Sequence, residues 1–206
     1  MTSSGTQPLV SEGFSGRMRV QDPALPPGQH LVDRFPVMSA GPTPVVHRRA
    51  WELTVTTPSG RQTPWDFAGL TRLPVEDVVA DLHCVTRWSR SGTRWRGVPV
   101  EALLREVDDA GARYVMAHSY GGYTTNVPLE DLLDGRAWLV FDHEDEPLSA
   151  EHGGPVRLLV PHLYLWKSAK WVNGLTLMSH DAPGFWESLG YHLYGDPWRE
   201  QRHSRD

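Results

Sequence analysis

One cysteine, Cys84, stands in the run Asp81-Leu-His-Cys-Val-Thr-Arg-Trp-Ser89, and no other thiol occurs in the 206 residues. A lone cysteine makes no internal disulfide and no cysteine-rich zinc site. Three roles stay open for it: a small buried hydrophobe, a nucleophile, or a soft thiolate ligand to a redox metal. Arg87, Arg90, Arg94 and Arg96 follow closely. A positive field of that kind lowers a thiol's pKa, so the spacing predicts thiolate character at Cys84. His83 and His118 are the imidazoles that would serve a cysteine nucleophile as base.

A second constellation begins at His152-Gly-Gly-Pro-Val-Arg157 and continues to Trp166-Lys-Ser-Ala-Lys-Trp171. Gly153 and Gly154 permit close backbone approach. Arg157, Ser168 and Lys170 offer a fork, a hydroxyl and a point charge, a set suited to a phosphate. The plainer alternative is a tight turn, a core strand and a solvated basic loop. Of the 20 Lys and Arg, only Lys167 and Lys170 are lysines, and they share one hexapeptide. A third group, His118-Ser-Tyr-Gly-Gly-Tyr-Thr-Thr-Asn126, joins a hairpin turn to two phenols. A tyrosine there would donate a proton or a hydrogen bond to a reacting oxygen, unless the segment is an ordinary edge hairpin.

The elements that must position these groups are short. Trp51–Thr56 alternates apolar and polar residues, as a half-buried strand does. Leu73–Ala80 reads as a short helix with Pro74 near its start. Ala80–Thr86 is a strand that opens into an Arg/Trp-rich loop. Pro99–Val107 and Pro128–Gly135 read as further short helices. Strands are expected at Arg113–His118, Tyr123–Val127, Ala137–Phe141, Val156–Val160 and Trp171–Met178. No regular βαβ alternation appears. The expected fold is therefore α+β, with mixed β-sheets and short helices. No G-x-G-x-x-G or Walker A sequence supports a nucleotide fold.

Composition narrows the function classes. Hydrophobic residues at 39% and charged residues at 22% describe a globular chain. Residues 1–30 are expected to form a flexible segment, and 31–206 one domain. A net charge of −5 offers no basic face for nucleic acid. No apolar run reaches the roughly 18 residues of a membrane span. The first residues lack the apolar core of a secretory signal, so the expected location is cytoplasmic.

In order along the chain, six motifs resemble the molybdopterin-binding domain of the sulfite oxidase superfamily. They are Phe35-Pro-Val37, Ala80–Ser89, His118–Asn126, Gly153-Gly-Pro-Val-Arg157, Val160–Trp171 and Gly195-Asp-Pro-Trp-Arg199. That superfamily includes sulfite oxidases, plant-type nitrate reductases and methionine-sulfoxide reductase catalytic subunits. The resemblance implies that family's fold, a molybdenum–molybdopterin (Mo-MPT) cofactor, and two-electron oxygen-atom transfer on a small sulfur- or nitrogen-centred substrate. It implies Cys84 as the protein ligand to molybdenum and Tyr123 as the active-site phenol. Arg157 would hold the pterin phosphate, with Ser168, Ala169 and Lys170 wrapping the same group. His83, Ser119 and His152 fall at cofactor-contacting positions, and Arg34 and Phe35 match a loop over the pterin. The arginines after Cys84 do not fall on the sulfite-binding pattern. With no haem or dimerisation domain expected, electrons would pass through a separate flavin, ferredoxin or haem protein. The residues alone leave two alternatives: a Cys/His thiol hydrolase, using Cys84 with His83 or His118, and a non-catalytic pterin-binding module.

Overall fold

In the computed structural model, residues 22–107 and 110–206 are described. Most of the expected flexible segment, residues 1–21, lies outside them. From Asp22 onward the chain is described, and Leu25 and Gln29 are buried.

The strands, in chain order, are β1 (His30–Leu31), β2 (Glu52–Thr56), β3 (Gln62–Asp66), β4 (Glu76–His83), β5 (Trp88–Pro99) and β6 (Tyr114–Ser119). They continue with β7 (Thr124–Pro128), β8 (Trp138–His143), β9 (Glu146–Pro147), β10 (Arg157–Leu159) and β11 (Val172–Met178). Helices are short: α1 (Phe67–Leu70), α2 (Val100–Leu104) and α3 (Phe185–Ser188). Among the described residues no helix is long and apolar enough to cross a membrane.

Two mixed sheets result. In the first, the order is β1-β5-β8-β10, with β4 also pairing β5 and β9 pairing β8. The second runs β3-β2-β11-β6-β7, with β2 and β11 parallel. Alternate residues of a strand face opposite sides, and the first sheet uses both. Leu139, Phe141 and Leu158 point into the main core against Val55, Val115 and Leu175 of the second sheet. Trp138, Val140 and Leu159 point the other way, into a smaller cluster with Trp88, Trp95 and Cys84. The fold is thus the expected α+β mixed-sheet architecture, and Cys84 lies on the far face of the first sheet from the main core.

Three expected elements differ, of which the helix expected over Pro128–Gly135 is only a 3-10 helix, Leu129–Leu132. Leu73–Ala80 is not a helix: from Glu76 the chain is already in β4, antiparallel to β5 through pairs such as Val78 with Trp95. Eight residues fit either period, and the β-branched pair Val78-Val79 together with the partner strand decides for β. The Arg/Trp-rich loop is likewise a strand of 12 residues, β5. Its alternation was visible: Thr93 and Trp95 are buried, whereas Arg94 and Arg96 are exposed. Only Val85, Thr86 and Arg87 form the actual turn after Cys84.

Candidate functional site

That turn fixes the thiol. Cys84 N–H donates to Trp88 O at 2.9 Å, and Arg87 N–H donates to Cys84 O at 3.0 Å. Gln29 Nε2 donates to the same carbonyl at 3.0 Å. Arg87 closes the turn at φ 76°, in the left-handed region. Cys84 itself is buried, and its Sγ lies 3.1 Å from Thr86 Oγ1.

The expected positive field is built differently. Arg94 pairs with Glu144 at 3.2 Å and Asp145 at 2.6 Å, and Arg96 pairs with Asp77 at 3.3 Å. Arg90 faces Glu144 at 3.9 Å. Arg94 and Arg96 are thus spent on the outer surface of the hairpin, whereas Arg90 is half-buried and its Nε has no partner among the described residues. Burial accordingly pushes the Cys84 thiol above its usual value; hydrogen bonds from Thr86 and the charge of Arg202 pull the other way. Thiolate character is therefore not imposed by the arginines of β5.

Neither imidazole serves the thiol. His83 Nδ1 meets Ser89 Oγ at 2.8 Å, and burial holds the ring below the usual histidine range. His118 Nε2 meets Thr176 Oγ1 at 3.0 Å in the second sheet. Among the described residues no cluster of three or more His, Cys, Asp or Glu would hold a metal unaided. Any metal at Cys84 must bring its other ligands with it.

Cys84 opens onto a cleft of about 370 Å³. Of the residues singled out in the sequence, Phe35, Cys84, Tyr123, Arg157, Ser168 and Lys170 line it. Arg157 leaves β10 buried, donating to His152 O at 2.8 Å and Ser168 O at 2.9 Å. Its Nε has no partner among the described residues, and burial lowers its pKa to about 10. Lys170 Nζ donates to Glu151 O at 2.6 Å; burial first, then Arg157, brings its pKa to about 8. Gly153 is required here: at φ 108°, any Cβ would stand 2.9 Å from Lys170 Cβ. Ser168 Oγ accepts from Val160 N–H at 2.9 Å.

The remaining singled-out residues stand behind the lining or outside it. His152 stacks on Phe35, with centroids 4.1 Å apart, and its Nδ1 is buried without a partner. Burial, then Arg157 and Lys170, lowers its pKa to about 4, so the ring is neutral. Ser119 Oγ is also buried and unpartnered, and Ala169 is buried beneath the loop. Arg34 is exposed and does not line the cleft. Tyr123 reaches the cleft, but its hydroxyl donates to Trp166 O at 2.6 Å.

Sequence reasoning passed over the aromatic wall. Trp166, Trp171, Phe185, Trp186 and Tyr191 all line the cleft. Tyr191 stacks on Trp186 at 5.0 Å and meets Trp166 edge-on at 5.1 Å. Its hydroxyl has no hydrogen-bond partner among the described residues. Burial, then the charge of a Cys84 thiolate, raises the phenol's pKa, and both side chains line the same cleft. The signal was the density of aromatics from Phe185 to Tyr194, which reads equally well as core.

A soft donor on one wall, buried Arg157 and half-buried Lys170 on another, and unpartnered Arg157 Nε, with unpartnered His152 Nδ1 and Ser119 Oγ behind the lining, suit a group with a metal end, polar edges and an anionic end. Comparisons with known proteins agree. Residues 40–186 match the model of the oxidoreductase molybdopterin binding domain. The chain is 38% identical over 199 residues to the uncharacterized oxidoreductase YuiH of Bacillus subtilis, covering 94% of this chain and 100% of that one. It is 31% identical over 132 residues to the putative protein-methionine-sulfoxide reductase subunit YedZ1 of Azospira oryzae, covering 64% of this chain and 50% of that relative. The chain thus spans the whole of the first relative and half the length of the second. Its fold is similar to that of the sulfane dehydrogenase SoxCD of Paracoccus pantotrophus, with a TM-score of 0.61 and 21% identity over 67% of this chain and 40% of that one.

The family match and the relatives place the chain among cofactor-dependent oxidoreductases. Within that class the chain belongs to the oxidoreductase molybdopterin-binding domain family, to which sulfite oxidase and methionine-sulfoxide reductase catalytic subunits are related. The cofactor of that family is molybdenum–molybdopterin.

Proposed function

We propose that this chain performs two-electron oxygen-atom transfer on a small, uncharged sulfur- or nitrogen-centred oxide or its reduced partner. When bound, molybdenum–molybdopterin supplies the two-electron couple that takes or gives the oxygen. The chain's own residues do the rest. Cys84 Sγ would hold the metal, and Arg157 with Lys170 the pterin phosphate. Phe35 would line the pterin's side of the cleft with His152 stacked behind it, and His152 and Ser119 would offer polar atoms to the edges of the pterin. Electrons would pass through a separate flavin, ferredoxin or haem partner.

The observation that carries the substrate class is the state of the cations. Arg157 and Lys170 are the charged side chains in the cleft lining, and both are assigned to the phosphate. Arg94 and Arg96 are paired outside it, and Arg90 does not line it. An oxyanion would find no further charged side chain in the cleft lining to replace its hydration, and lost hydration without a contacting counter-charge costs several kcal/mol. An uncharged oxide needs one hydrogen bond to its oxygen and apolar walls around its substituent. Tyr191 supplies the first, and Phe185, Trp186 and Trp166 supply the second.

The test is molybdenum analysis of protein made with ample molybdate, followed by turnover with a reduced viologen. Near-stoichiometric molybdenum, and kcat/KM for methyl phenyl sulfoxide at least about tenfold that for nitrate, support the reading. Bound cofactor without turnover means a pterin-binding module. Soluble, folded protein without molybdenum, but with iodoacetamide-sensitive hydrolysis, returns the thiol-hydrolase reading.

The two phenols separate in the same assay. Tyr191→Phe is expected to fold normally and to lose about 10²-fold in kcat, as loss of one transition-state donor does. Tyr123→Phe removes a bond to Trp166 O, costs about 1 kcal/mol of stability, and leaves kcat within a few-fold. The reverse ranking would restore Tyr123 as the catalytic phenol.

A further inference from the structure

Behind the Cys84 turn lies a guanidinium that the proposed function does not use. Arg202 is buried, and its Nη1 donates to Val85 O at 2.6 Å. Nη2 donates to Pro27 O at 3.3 Å, and the group sits 4.9 Å over the Tyr164 ring. One side chain thereby ties three separate segments together at the residue following the candidate metal ligand. The same segment carries Tyr191, which bridges to His203.

The charge of Arg202 is poorly cancelled. Its partners at Val85 and Pro27 are neutral carbonyls, and its Nε is unpartnered among the described residues. Its nearest carboxylate, Glu200, stands 3.8 Å away and is 47% exposed, so solvent screens that pair. Arg87 adds a second guanidinium: a Cβ on Gly28 would meet Arg87 Nη1, Glu200 Oε1 and Arg202 Nη2 within 4 Å. Two cations therefore face one half-solvated carboxylate.

We propose that Arg202 is a positioning residue for the Cys84-bound centre: it holds the Val85 peptide and sets a fixed positive charge behind the sulfur. The inference rests on Cys84 being the metal ligand. Reduction adds negative charge to such a centre, and a buried cation favours the more reduced state. Arg202 thus raises the reduction potential of the molybdenum, whatever the substrate.

Holoprotein of wild type, Arg202→Lys and Arg202→Met is compared by redox titration, with the molybdenum followed by electron paramagnetic resonance, and by thermal unfolding. Arg202→Lys keeps the charge and loses the fork, so its stability falls while its potential stays near that of wild type. Arg202→Met loses both, and its midpoint shifts to more negative potential. Equal potentials in loaded wild type and Arg202→Met overturn the inference and leave Cys84 as ligand. If Arg202→Met does not fold, a wild-type potential in loaded Arg202→Gln overturns it equally, and a negative shift there supports it. Wild type without molybdenum overturns both the inference and the ligand assignment on which it rests.

Discussion

The Cys84→Ser protein is expected to fold as the wild type does, to keep the pterin, and to lose all molybdenum-dependent turnover. Folding should survive because the change is small: Cys84 is a buried side chain whose sulfur contacts the hydroxyl of Thr86 at 3.1 Å. A serine hydroxyl makes the same bond. The backbone bonds that shape the turn, from Cys84 N–H to Trp88 O and from Gln29 to Cys84 O, do not involve the side chain. Pterin retention follows from the distribution of donors, since Arg157 and Lys170 sit on other elements. What is lost is the soft anionic donor: a neutral hydroxyl is a poor ligand for a metal suited to thiolate. Cys84→Ala should go further and release molybdenum. Metal analysis, pterin fluorescence after oxidation and viologen-linked turnover read the three outcomes separately. Full turnover in Cys84→Ser would remove Cys84 from the metal.

The sequence made Cys84 conspicuous because it is a single thiol at a strand end, and the structure places it at the cleft. Its electrostatic setting was not legible in the same way. Counting Arg87, Arg90, Arg94 and Arg96 gives charge without direction. Once the segment is a strand, alternate residues point away from the thiol, where Glu144, Asp145 and Asp77 meet them. A cation that does reach the Cys84 turn, through Val85 O, is Arg202, more than a hundred residues along the chain. No local pattern announces a contact of that separation.

Polar constellations were easier to read than apolar ones. Arg157, Ser168 and Lys170 stand close in sequence because one strand and one loop carry them, and the cleft receives all three. Tyr123 was legible as a phenol near a turn, but its bond to Trp166 O appears only once β7 and the 165–167 turn are packed together. Tyr191 and Trp186 read as core, since aromatics usually are core. Strand β4 shows the same limit at the level of elements. Its residues suit a helix or a strand, and the partner β5 chooses.

The aromatic wall depends on a buried ion pair, and breaking it carries the largest expected cost in stability. Lys167 and Glu187 meet at 2.7 Å, and neither side chain is exposed. Lys167 Nζ also donates to Asn126 O and Oδ1, both at 2.8 Å, while Glu187 Oε1 also accepts from Thr125 Oγ1 and Trp166 Nε1, both at 2.9 Å. The network locks α3, and with it Trp186 and the approach to Tyr191, onto β7 and Trp166. Removing one partner strands the other charge without compensation, at about 3–5 kcal/mol. Glu187→Ala should therefore lower the unfolding midpoint by on the order of 10 °C in a domain of this size. Lys167→Met with Glu187→Gln should recover much of that loss, because the double change leaves no unpaired charge. Calorimetry of the wild type and the two variants measures both effects. A drop of only a few degrees in Glu187→Ala would mean that water reaches Lys167 once the carboxylate is gone. Catalysis should follow a different order. In the double variant the stability returns but the bonds from Thr125 and Trp166 are weakened, so KM for an aryl sulfoxide should stay raised while kcat recovers. That split would identify the pair as what holds the substrate wall in place, and recovery of KM together with stability would confine its role to folding.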